Sequence, residues 1–296
     1  MNMNLNRRQF MELPALVGIV PGGLAEAAEA GVSFGLITRL ALVDDCTRLA
    51  MHQPGLPAAF CDSLVTHRDI ARLSGIPAAG AKDLVELLAS CRDAWPHRKP
   101  AARLPQKLAF VLGALLHRAA ERELASPAAD QERRLYQDAA VLREFSGVEP
   151  PSATQAQLED LFRVISRRFM IELHTFSPDT EDVNGWVERL VGWSRQDGTL
   201  CRALAQACAA PDAGKLRQHI TAPDFYDRND PLIRLARSVQ AGRLIGRAAL
   251  RAALEAPGAH SQYGRALRLG CSCLEAAGAC FQGRLEETAL LQRLER

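Results

Sequence analysis

Apolar residues return every three to four positions along most of the chain from residue 31 onward. In "FGLITRLALVDDCTRLA", Leu36, Leu40, Val43 and Thr47 fall on one stripe, the period of an α-helix. "AKDLVELLASCRDAW" repeats the habit through Leu84, Leu87, Leu88 and Cys91. "QKLAFVLGALLHRAAE", "ERRLYQDAAVLREF", "QAQLEDLFRVISRRFMIEL" and "NGWVERLVGW" continue it, and from "PLIRLARSVQAGRLIGRAALRAAL" to the end the chain again reads as helix. No segment alternates apolar and polar residues as a half-buried strand would, and β-branched residues are sparse. The pattern predicts an all-α protein.

Breaks fall where Pro and Gly cluster: 96–105, 146–153, 175–182 and 221–231. Asp179 or Thr180 is placed to cap the helix carrying Trp186. Asn229 or Asp230 precedes Pro231, which suits the first position of a helix. No solenoid period is present, and the loops are too short to force a domain boundary. A single multi-helix bundle from 31 to 296 is the simplest organisation.

Residues 1–30 read differently. "NRRQFM" pairs Arg7 and Arg8 ahead of Phe10, a short apolar run follows from Leu13 to Val20, and A-x-A sites stand at Ala25–Ala27 and Ala28–Ala30. The apolar run is too short for a permanent anchor. The segment resembles a twin-arginine (Tat) export signal, departing from it at Asn6 and at Glu12. That resemblance implies a periplasmic or secreted protein exported after folding, often with metal or cofactor already inserted. The competing reading is a cytosolic amphipathic N-terminus. No second apolar segment reaches transmembrane length, so no transmembrane anchor is expected.

Composition adds limits. With 296 residues, 48% of them hydrophobic, the chain can bury a core without staples. The formal net charge of +2 makes no overall electrostatic case for nucleic acid or anionic membranes. Arg outnumbers Lys heavily, Lys standing only at 82, 99, 107 and 215, which reflects codon composition more than phosphate recognition. Eight Cys form no C-x-x-C pair, haem box or zinc ribbon and read as small buried hydrophobes, with disulfides as the alternative in an oxidising compartment. There is no Walker loop, G-x-S-x-G elbow or H-E-x-x-H pair.

Candidate chemistry gathers around His117 and Glu121, four apart on one helix face. Alone, the pair reads as a charge-assisted contact on a helix surface. Other ionisable groups in apolar settings change that. His67 stands at a predicted helix start in "VTHRDIARLSG", Asp138 inside "RRLYQDAAVLREF", and His174 at the end of "RFMIELHTF", with Asp179 beyond. Buried ionisable groups are costly unless paired or ligating, so a shared metal is one way to account for them. Each taken singly also suits a satisfied core or cap residue, as His174 would near a helix C-terminus.

"THRDIA", "LAFVLGALLHRAAE" and "YQDAAVLREF" together resemble the bacterial zinc-dependent phospholipase C group, which includes the P1-type nucleases, over residues 60–175. The resemblance implies an all-α fold of the phospholipase C/P1 nuclease type and zinc held by His, Asp and Glu among helices. His67, His117, Glu121, Asp138 and His174 would be the ligands and Asp179 a base or outer partner. It also implies metal-assisted hydrolysis of a phosphoester or phospholipid. The chain departs from the group at three points. It reads "GALLHR" where the group has an Asp, it lacks the His-x-x-x-Asp of the next helix, and no Trp follows either cleavage site. The alternative is a non-catalytic helical binding or scaffold protein of the cell envelope. A cytosolic regulator stands only if the export signal does not.

Overall fold

A computed structural model describes residues 36–74, 80–97, 103–124, 225–256 and 261–295, with Gln137 and Val141. All of them belong to one compact unit, 34–296. Every regular element among the described residues is helical. In chain order these are α1 (Leu36–Ala50), α2 (Ala58–Thr66), α3 (Arg68–Leu73), α4 (Ala81–Ala94) with a 3₁₀ turn at Trp95–His97, and α5 (Leu104–Leu124). There follow α6 (Pro231–Gln240), α7 (Arg247–Glu255), α8 (Gln262–Phe281) and α9 (Glu287–Glu295).

The longest described helix organises the rest. α5 runs 21 residues, about 31 Å at the α-helical rise. From Leu108 to Ala120 every residue but Arg118 is buried. It packs most extensively on α8 and is flanked by α2, α3, α4 and α1. Gly113 lets α3 approach its backbone: a Cβ there would lie 2.1 Å from the Ala71 carbonyl oxygen and 2.2 Å from Ser74 Oγ.

α1 is the second axis, packed against α8, α6, α5 and α3. The sequence predicts one apolar stripe, whereas from Thr38 to Ala50 every residue except Arg48 is buried. A helix enclosed on all sides has no solvent face on which to put its charges, so Arg39, Asp44 and Asp45 are carried inside.

Local signals are met where they can be read. Asp230 caps α6, its carboxylate accepting from the Leu232 amide at 3.0 Å, with Pro231 at the first helical position. Leu84, Leu87, Leu88 and Cys91 are all buried along α4. Of the six described cysteines all are free and five are buried, as small hydrophobes would be, while Cys201 and Cys208 lie outside the described residues. The run 231–254, read as helix, is interrupted at 241–246 between α6 and α7.

Candidate functional site

The charges enclosed with α1 find partners on four other helices. Asp44 is fully buried, and Arg68 of α3 binds it through two nitrogens, Nε to Oδ1 at 2.7 Å and Nη2 to Oδ2 at 2.5 Å. Arg72, one turn further along α3, adds Nε at 3.6 Å from Oδ1. Asp45 faces elsewhere. Arg48 Nη1 donates to its Oδ1 at 2.6 Å, while Oδ2 accepts from the Tyr263 hydroxyl of α8 at 2.9 Å and from Arg237 of α6. Burial pushes the Asp45 carboxyl above the usual aspartate range, against the pull of Arg237, Arg48 and the Tyr263 hydrogen bond. The same burial, reinforced by the Asp45 charge, drives the Tyr263 phenol well above its ordinary value.

His117 lies at the α5 side of this network and is 1% exposed. Its Nε2 stands 3.0 Å from the Arg72 carbonyl oxygen. A carbonyl only accepts, so Nε2 carries the proton and Nδ1 is a bare lone pair. Nδ1 is buried without a hydrogen-bond partner. Burial first, and then the nearby Arg39 charge, depress the imidazole to about 3, against a weaker opposing effect of the Arg72 carbonyl. His117 is therefore neutral at physiological pH.

Glu121 turns to a different partner. Its Oε1 lies 2.9 Å from Nη2 of Arg39, which is 1% exposed, while the Glu121 side chain is 36% exposed. The expected surface pair of His117 and Glu121 is thus replaced by two long-range contacts. Tertiary packing seals the α5 face that carries His117, and the enclosed Arg39 takes up the carboxylate.

His67 sits at the junction of α2 and α3, capping both through its backbone: its N–H donates to Ser63 O at 2.9 Å and its carbonyl accepts from Ala71 N at 3.1 Å. The side chain is partly exposed, and burial lowers its pKa. It starts the helix whose Arg72 carbonyl meets His117, but five residues, about 7.5 Å of helix rise, separate the two positions along α3. Asp138, His174 and Asp179 lie outside the described residues.

Among the described residues no group of three or more His, Cys, Asp or Glu side chains is arranged to hold a metal ion. Of the five residues read as zinc ligands, the three described do not fit zinc as they stand. His117 offers only an enclosed Nδ1 close to a guanidinium, the Glu121 carboxylate faces that guanidinium, and His67 stands apart at a helix junction.

A cleft of about 330 Å³ opens elsewhere, lined by Pro54, Gly55, Ser272, Glu275, Arg284 and Arg293 among others. Its Arg284 is held by the Gly55 carbonyl and by Gln282, and it contains no His or Cys.

Asp44 and Asp45 have no histidine within a helical turn, so the sequence pattern of candidate ligands does not include them. The signal was nonetheless present: "ALVDDC" sets two carboxylates in a helix whose apolar residues leave no polar face. No family model, curated protein or solved structure matches the chain.

Proposed function

We propose that the chain is a non-catalytic helical binding protein, exported to the cell envelope by the signal read in residues 1–30. One observation among the described residues supports the non-catalytic part: the buried carboxylates Asp44 and Asp45 are both engaged, by Arg68 and Arg72 in one case and by Arg48, Arg237 and Tyr263 in the other. Catalytic carboxylates face a cavity with an oxygen available for a proton or a substrate. Here the same groups tie α1 to α3, α6 and α8, which is the work of a rigid frame.

A second reading, a zinc-dependent phosphoester hydrolase, draws on the unpartnered Nδ1 of His117. It requires Asp138 and His174 to join His67, His117 and Glu121 as ligands, with Asp179 as a base or outer partner. One experiment separates the two. The full chain is purified without chelator, its zinc content measured, and hydrolysis of bis(p-nitrophenyl) phosphate and p-nitrophenylphosphorylcholine followed alongside His117→Ala. Absence of both stoichiometric zinc and turnover supports the binding protein. Stoichiometric zinc with hydrolysis, both lost in the variant, overturns it in favour of the hydrolase.

A further inference from the structure

The modest net charge of the chain conceals a local imbalance. Residues 231–270 contain seven Arg and a single acid, Glu255. Three of the arginines are engaged inward or along the bundle: Arg237 with Asp45, Arg265 with Glu123, and Arg268 with the Ala253 carbonyl. Arg243, Arg247 and Arg251 are exposed and form no ion pair among the described residues.

The backbone presents these three together with an apolar side chain. α6 ends in a glycine cap: Gly242 takes φ 75°, its N–H donates to Val239 O, and the Arg243 N–H donates to Ser238 O, each at 2.9 Å. This closure turns the chain outward at Arg243 and Leu244. Ile245 then folds back against the core, leaving Leu244 93% exposed. α7 follows, burying Leu250 and Ala253 while Arg247, Ala248, Arg251 and Ala252 face solvent. Arg247 and Arg251, four apart, lie one above the other on the outer face.

We propose that the α6–α7 turn and the outer face of α7 dock on an anionic lipid surface, with Leu244 entering the headgroup region and Arg243, Arg247 and Arg251 engaging lipid phosphates. Guanidinium groups match phosphate oxygens in two-point geometry, and an exposed leucine beside them gains by leaving water. The alternative polyanion, nucleic acid, is disfavoured by what the patch lacks. Between Ala241 and Glu255 no aromatic, amide or hydroxyl side chain is available to stack on or read a base. No described helix is long and apolar enough to cross a membrane.

This adds a partner to the binding role proposed above, yet uses none of the residues on which that reading stands. Zinc-dependent turnover would overturn the earlier reading and leave this patch untouched. The test is co-sedimentation of the full chain with phosphatidylcholine vesicles, with and without phosphatidylglycerol, across a salt series. Binding confined to the anionic vesicles and weakened by salt is expected. Each of Arg243→Gln, Arg247→Gln and Arg251→Gln should weaken it about fivefold. Leu244→Ser should weaken it about tenfold or more, with thermal melts unchanged because all four side chains are solvent-exposed. No binding at low salt, or equal binding by the variants, overturns the proposal. So does tighter, arginine-dependent binding to a DNA duplex, or equally tight binding of free inorganic phosphate, since neither needs a bilayer.

Discussion

His117 supplies the sharpest test of the buried network, because its neutrality has a pH signature. In the unfolded chain the imidazole takes up a proton near 6.5, whereas in the fold burial and Arg39 hold it at about 3. A depressed histidine pKa means the unfolded state binds the extra proton between those two values. Stability is therefore complete above pH 6.5 and falls as pH drops toward 3. Each pH unit in that window removes about 1.4 kcal/mol, so the loss reaches about 2 kcal/mol at pH 5. Against a total of about 5–15 kcal/mol for a typical domain, that is measurable. His117→Gln keeps an N–H donor for the Arg72 carbonyl and removes the titration. At pH 7 the variant should be less stable than wild type by about 1 kcal/mol for imperfect packing. Between pH 7 and pH 5 its stability relative to wild type should rise by about 2 kcal/mol, so that it becomes the more stable protein. The assay is urea unfolding followed by circular dichroism at several pH values in the presence of chelator. Titration of the other six histidines cancels in the difference. A difference that stays constant within about 0.5 kcal/mol would show that His117 is not enclosed as a neutral group.

Asp45→Ala should destabilise by about 3 kcal/mol, the low end for a buried pair, because it takes their shared carboxylate from the buried Tyr263 hydroxyl and from Arg48 and Arg237, which are only part-buried. A loss under about 1 kcal/mol in urea unfolding would mean that the network contributes no more than a surface ion pair. Gly113→Ala should lower thermal stability, since its Cβ would stand 2.1 Å from the Ala71 carbonyl oxygen and α3 must shift to admit it. The expected cost is about 2 kcal/mol, against a gain of about 1 kcal/mol for the same change in an open helix; a raised melting temperature would remove the close approach of α3 and α5.

What the sequence determined by itself was local. Periodicity marked α1, α4 and α5, and the Asp230–Pro231 pair marked the start of α6. Reading the cysteines as small hydrophobes anticipated that five of the six described ones would be buried. These features depend on residues a few positions apart, whose spacing the helix itself sets. The break at 241–246 was legible in principle through Gly242, but arginine and leucine spacing on either side mimicked a continuous helix. The site was a different matter. His117 was read as a metal ligand or as half of a surface pair with Glu121, yet its partner is a backbone carbonyl 45 positions away, and no pattern encodes a carbonyl. Asp45 meets Arg237 across 192 positions and Tyr263 across 218. Whether a charged side chain on a helix is solvated or enclosed depends on which other helices cover that face, and only tertiary packing decides it. The same packing turns Arg237 inward to a carboxylate and leaves Arg243, Leu244, Arg247 and Arg251 outside, although the segment carrying them reads alike throughout.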